Sequence, residues 1–134
     1  MLRALILALM VTAQGPLVVE NDPGGVVATR VARVAALGAR EVRIVGWCES
    51  ACTMYLGAEN VCVAREARLA FHGPSFFGMP LPPRDFEYWS RVIAAHYPAP
   101  ISEWFMERAR HRILGHFTLT GDEVIRLGVR ECPV

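Results

Sequence analysis

A serine, a histidine and a glycine turn, carried by three separate stretches of chain, are the residues of this sequence best suited to chemistry. Ser50 lies in Gly46-Trp47-Cys48-Glu49-Ser50-Ala51-Cys52-Thr53, where an apolar run at 42–45 gives way to a helix-forming segment. Phe71-His72-Gly73-Pro74 follows downstream, and Glu20-Asn21-Asp22-Pro23-Gly24-Gly25 lies upstream between an apolar run and a helical pattern. A serine becomes nucleophilic when a base takes its proton, and a glycine turn or helix start presents unpaired N–H groups to a developing oxyanion. Together the three segments supply the parts of an acyl-transfer site. The chain contains no lysine among its fourteen basic residues, so neither a Ser/Lys dyad nor a Schiff base can form and the serine must rely on histidine.

Alternating elements must position these groups. Residues 17–20 read as a short strand, 26–37 as a helix with apolar positions at Val27, Val31, Val34 and Ala35 that Gly38 ends, and 42–45 as a strand. Residues 51–56 read as a buried helix, and 61–63 and 68–71 as two more strands, the last leading into His72. Repeated strand and helix order predicts an α/β domain with parallel pairing. After His72 the glycines and prolines at 73, 74, 78, 80, 82 and 83 predict a loop, suited to a lid or substrate rim. A helix from a cap at Asp85 to about His96 is expected next, broken by Pro98-Ala99-Pro100, then a second helix over about 102–114. Thr120 and Glu123 fit a capping box for a last helix that Gly128 closes.

Composition bounds the partners. At 134 residues and 53% apolar content, with a formal net charge of +1, the chain reads as one domain with a sizeable core. The arginines are scattered among acids, which argues against nucleic acid. Arg3 followed by the apolar residues 4–10 and the small-residue stretch Val11-Thr12-Ala13 predicts a signal peptide over 1–13, leaving 14–134 as the mature domain. That segment is too short to span a bilayer, which takes about 20 apolar residues. Export to a periplasmic or secreted location is the expectation, and no cofactor or metal is called for. Cys48, Cys52, Cys62 and Cys132 form an even set that allows three disulfide connectivities. Adjacent parallel strands at 42–45 and 61–63 would bring Cys48 near Cys62 and leave Cys52 for Cys132. A zinc site is the competing reading of Cys48 and Cys52, which lack a second pair of matching spacing; free buried thiols are another.

The three segments resemble the successive motifs of the Clp protease proteolytic subunit and its crotonase-fold relatives: Asp22-Pro23-Gly24-Gly25, Gly46-Trp47-Cys48-Glu49-Ser50-Ala51, and Ala67-Arg68-Leu69-Ala70-Phe71-His72-Gly73-Pro74. The Cys-x-Ser-Ala-Cys-Thr form is similar to that of small exported Clp-protease-like proteins of bacteria. The likeness covers about residues 17–74 and returns at 120–129. It implies a crotonase-like fold of β-β-α units with a C-terminal helical segment, a serine peptidase activity on peptide or protein substrates, Ser50 as nucleophile and His72 as general base. It also implies an oxyanion hole from the N–H groups of Gly25 or Val26 and of Ala51. The family's triad acid has no clear counterpart. The expected position falls near His116, and Asp122 lies close by on a capping turn. The long inserted helix and N-terminal segment that build the Clp rings are absent from the sequence, so neither a fourteen-subunit chamber nor an ATPase partner is implied, although a homo-oligomer remains open.

Each residue also has a plain structural role available: Ser50 as a helix cap, His72 as a strand-end histidine, and Asp122 as a first-turn acid. The aromatics Phe76, Phe77, Phe86, Tyr88, Trp89, Tyr97, Trp104 and Phe105 are expected to fill the core of the two-helix segment, with part of them suited to lining an apolar groove. A crotonase-fold binding or structural protein with a degenerate triad is therefore the alternative to a hydrolase.

Overall fold

The computed structural model describes residues 14–134, so the expected signal segment 1–13 lies outside the described residues. The domain is α/β, with a mixed five-stranded sheet. Strand β1 (Leu17–Asp22) leads through the Gly24-Gly25 turn into helix α1 (Val27–Leu37), which ends at Gly38 in a left-handed conformation, φ 51°. Strand β2 (Val42–Glu49) then runs into a 3-10 helix (Ser50–Gly57) whose residues 51–56 are all buried. Strands β3 (Val61–Val63) and β4 (Arg68–Phe71) follow.

Both β3 and β4 pair parallel with β2, one beyond the other. Val61–Val63 lies beside Val42 to Ile44, whereas Arg68 to Ala70 lies beside Trp47 to Glu49. β1 covers the opposite edge of β2, also parallel, with Asp22 level with Cys48. A right-handed α1 crossover between parallel neighbours is the expected βαβ connection. Strand β2 is buried at Val42, Ile44 and Cys48, which makes it the sheet's apolar centre.

The stretch after His72 is more structured than a loop. Ser75–Phe76 (β5) and Met79–Pro80 (β6) form a small antiparallel hairpin. Its two tip residues, Phe77 (φ 48°) and Gly78 (φ 76°), both have positive φ, as tight two-residue hairpin turns require. Helix α2 (Pro83–Ala94) starts two residues before Asp85, with Pro82 as N-cap and Asp85 inside the first turn, where its charge favours the helix dipole. The chain does break between two helices, but helix α3 (Ala99–Glu107) starts inside Pro98-Ala99-Pro100, three residues before the expected 102, because proline in the first turn lacks only an N–H that would be unpaired anyway. That helix stops at Glu107, and a short 3-10 turn (Ala109–His111) replaces the expected continuation to 114.

Strand β7 (Phe117–Thr120) was not expected from the sequence; it pairs antiparallel with β4 and makes the sheet mixed. Helix α4 (Gly121–Arg126) follows at once, with both hydrogen bonds of the Thr120/Glu123 capping box formed. Among the aromatics, Tyr97 and Phe105 are core residues, but Phe76, Phe77 and Tyr88 are exposed.

The disulfides are Cys48–Cys52 and Cys62–Cys132, which corrects the expected pairing of Cys48 with Cys62 and Cys52 with Cys132. The reason is register. Cys62 stands beside Arg43, five residues before Cys48 along β2, a separation of about 16 Å at strand rise. A bridge needs Cα atoms within about 7 Å. The C-terminal segment instead returns along β3, where Val63 N–H donates to Arg130 O (2.9 Å) and Cys132 N–H to Val63 O (3.0 Å), setting Cys132 against Cys62. With all four cysteines bridged, no thiolate is left for the zinc alternative. Two disulfides fit an extracellular or periplasmic protein. Among the described residues no helix is long and apolar enough to cross a membrane.

Candidate functional site

Parallel pairing brings the carboxyl ends of β1, β2 and β4 to one edge of the sheet, and the three sequence motifs stand there together. Asp22 is level with Cys48, and Glu49 with Ala70, so the Gly24-Gly25 turn, Ser50 and His72 leave the sheet on the same side. Crevices at the carboxyl ends of parallel strands are where open α/β sheets bind ligands.

Ser50 sits at the turn from β2 into the 3-10 helix with φ 57°, an uncommon conformation for a residue with a Cβ. Such a residue points its side chain away from both flanking elements. Among the described residues the Ser50 hydroxyl has no hydrogen-bond partner, so it is not spent as a helix cap. Its carbonyl is held instead: Thr53 Oγ1 donates to Ser50 O at 2.6 Å, and the buried Tyr97 hydroxyl donates to Thr53 Oγ1 at 2.6 Å. Burial drives the Tyr97 hydroxyl's pKa well above the usual tyrosine value, a rise only partly opposed by the Thr53 hydrogen bond. It therefore remains a protonated donor. Neither Thr53 nor Tyr97 was singled out for the site from the sequence, since a Thr three residues into a helix and an aromatic in a helical segment are common core features.

Gly24 is what lets the glycine turn approach the serine. At φ +94°, a Cβ added there would stand 2.7 Å from both Glu49 O and Ser50 Cβ and 3.1 Å from Ala51 N. Gly25 instead faces open space. The turn is clamped from behind by Asp22, which accepts the Gly24 N–H at 2.9 Å and pairs with Arg30 of α1 at 2.6 Å. Desolvation acts to raise the Asp22 pKa, but the Arg30 hydrogen bond, the Gly24 N–H and the guanidinium charge outweigh it and hold the carboxyl below its ordinary value. Arg30 also lies over the Tyr55 ring, 4.7 Å from its centroid.

Among the described residues the N–H groups of Gly25, Val26 and Ala51 find no acceptor. All three residues line one cavity of about 530 Å³, together with Ser50, His72 and the uncapped start of α1. The unpaired N–H groups of a helix start carry partial positive charge, so this wall suits an anion or oxyanion. The rest of the cavity is apolar, with Leu81, Trp89, Ile93 and Phe76 from the hairpin and α2.

His72 Nδ1 lies 2.8 Å from Gly73 O. A carbonyl can only accept, so Nδ1 carries the hydrogen and, in the neutral ring, the lone pair is on Nε2. Gly73 itself is pinned: its N–H donates to Arg112 O at 2.8 Å, and a Cβ there would fall 1.8 Å from Arg110 O. Ser50 and His72 share the cavity, but no hydrogen bond joins them.

Neither candidate third member is hydrogen-bonded to His72, although the β4/β7 register carries His116 across from it. Asp122 binds Arg126 at 2.6 Å and Arg65 at 3.5 Å, next to the end of β4 where Arg68 pairs with Thr120, whereas His72 follows the other end. The His116 ring packs edge-on against Trp47 at 5.5 Å, and its Nδ1 meets Thr118 Oγ1 at 3.2 Å. Among the described residues no group of three His, Cys, Asp or Glu is arranged to hold a metal ion. No protein-family model and no curated protein matches the chain.

Proposed function

We propose that the protein is an exported serine hydrolase of crotonase-like fold, most simply an ATPase-independent peptidase resembling the Clp proteolytic subunit. The observation that carries this reading is the convergence on one cavity of Ser50, with its left-handed backbone and a hydroxyl unbonded to any described residue, of His72, whose Nδ1 is taken by Gly73 O, and of Gly25, Val26 and Ala51, whose N–H groups donate to no described acceptor. In this scheme Ser50 Oγ attacks the scissile carbonyl carbon as its proton passes to His72 Nε2. The N–H groups of Ala51 and of Gly25 or Val26 receive the carbonyl oxygen as it becomes an oxyanion. Collapse of the tetrahedral intermediate breaks the C–N bond, and the imidazolium returns the proton to the departing amine. Water then attacks the acyl-serine by the same route, freeing the acid and restoring Ser50.

Gly73 O replaces the usual acid in one of its two roles. It fixes the tautomer and orientation of His72, but a neutral carbonyl brings no negative charge to the imidazolium formed during the reaction. The two disulfides support an oxidising compartment, which agrees with removal of residues 1–13 during export and with the periplasm as location. A serine-directed fluorophosphonate tests the activity: oxidised protein should be labelled at Ser50, and Ser50→Ala and His72→Ala should abolish labelling.

A second reading, a crotonase-fold binding protein with a degenerate triad, is favoured by the hydrogen bonding of His72: among the described residues it bonds neither Ser50 nor any carboxylate. Folded, oxidised protein that takes no label would favour it.

A further inference from the structure

The bridge between Cys48 and Cys52 encircles Ser50, with only Glu49 and Ala51 between the serine and the two cysteines. Cys48 belongs to β2 and is held by its neighbours on both sides, level with Asp22 of β1 and Leu69 of β4. Cys52 lies inside the buried 3-10 helix, and both cysteines are 0% exposed. The bridge therefore fastens the fixed end of a central strand to the helix across the one residue in this turn that has a positive φ. Only short runs of 3-10 helix are common, because its hydrogen-bond geometry is poorer than that of an α-helix. Eight residues of it beginning at a left-handed serine call for another restraint.

We infer that the Cys48–Cys52 disulfide is a positioning element for Ser50, which keeps the serine in its left-handed conformation and its hydroxyl aimed into the cavity. The two bridges then divide the work. Closing a loop of sequence separation 4 removes little freedom from the unfolded chain, whereas separation 70 removes far more. Cys62–Cys132 secures the C-terminal segment; Cys48–Cys52 acts on the reacting residue. Thr53, next to Cys52, completes the restraint by holding the Ser50 carbonyl. The inference rests on Ser50 being the nucleophile for its consequence in activity, but not for its consequence in backbone geometry.

The test compares C48A/C52A and the bulkier C48V/C52V with C62A/C132A. Two readouts are needed: the rate of fluorophosphonate labelling, and the Ser50 backbone conformation from NMR chemical shifts. Folded C48A/C52A or C48V/C52V should label at least tenfold more slowly than the native protein and lose the left-handed Ser50, while C62A/C132A, measured where it is folded, should keep both within twofold. Labelling at the native rate, or a left-handed Ser50 without the bridge, would overturn the inference. So would unfolding of both Cys48/Cys52 variants under conditions in which C62A/C132A stays folded, since the bridge would then be a folding element. If the native protein takes no label at all, the hydrolase reading fails, and the positioning claim is still decided by the Ser50 shifts.

Discussion

The Tyr97 hydroxyl stands 2.6 Å from Thr53 Oγ1, and through it the helical segment reaches the carbonyl of Ser50. Polarity fixes the direction of this chain: Thr53 must donate to the carbonyl, so Tyr97 must donate to Thr53. Removing the middle member should cost more than removing the end. Thr53→Val leaves a buried Tyr97 hydroxyl without an acceptor, at about 1–3 kcal/mol, whereas Tyr97→Phe leaves Thr53 bonded to Ser50 and costs about 0.5–1.5 kcal/mol. Urea denaturation of the two variants gives the order directly.

Asp22 links the glycine turn to α1 through Arg30, with only 20% and 11% of the two side chains exposed. Asp22→Ala strands the guanidinium and frees the Gly24 N–H, with an expected loss of about 1–3 kcal/mol. Because the turn presents the N–H groups of Gly25 and Val26, kcat should fall more than KM rises, as for an interaction made in the transition state. A rise in KM with kcat unchanged would point to substrate binding alone.

The same carboxyl predicts an acid limit. Its native pKa lies below the ordinary aspartate value, so the unfolded chain binds the proton first as pH falls. Its contribution to stability is fully present above the unfolded value and is lost as pH drops through the native one. Denaturation midpoints of native protein and Asp22→Asn should therefore separate above about pH 4 and converge as pH falls through the depressed native value. A constant difference across that window would contradict the assignment.

Much of this was legible in the sequence and some was not. The parallel strands and the serine turn could be read because Val42, Ile44 and Val45 make a mostly apolar β-branched run, and because Gly46 and the Gly24-Gly25 turn punctuate the chain. The reach of β2 through Glu49 was hidden, since Trp47, Cys48 and Glu49 carry no strand periodicity. β7 was hidden too: Phe117-Thr118-Leu119-Thr120 is a four-residue edge strand whose partner is set by tertiary contacts. The disulfide pairing failed for one specific reason, that β3 and β4 share a single edge of β2 end to end, which no local pattern reveals. No side-chain pattern could reveal the group that His72 Nδ1 bonds, because it is the main-chain oxygen of its own neighbour, Gly73, and not an acid near the closing helix.

Gly24 makes the site's sharpest steric prediction. Gly24→Ala forces a Cβ to 2.7 Å from that of Ser50, on a backbone with φ +94°, so Ser50 labelling should be lost while the sheet, probed by circular dichroism, persists. Gly25→Ala meets no atom within 4 Å and acts only through its φ of +150°. It should therefore be the milder of the two, and the reverse order would mean that the turn does not approach the serine as described.

The two bridges should separate in denaturation. In the chain-entropy model the 70-residue separation of Cys62–Cys132 corresponds to about 4 kcal/mol and the short Cys48–Cys52 loop to about 2 kcal/mol. C62A/C132A should consequently have the lower urea midpoint. Equal midpoints would show that local packing, not loop closure, sets both contributions.

The most direct measurement is mass spectrometry of the oxidised protein after exposure to a fluorophosphonate probe. A single adduct on Ser50, absent from Ser50→Ala and His72→Ala, is the result expected of a nucleophile activated by its histidine. Folded protein with both disulfides intact that carries no adduct, or one equally abundant in His72→Ala, would contradict the hydrolase account and leave a binding protein in its place.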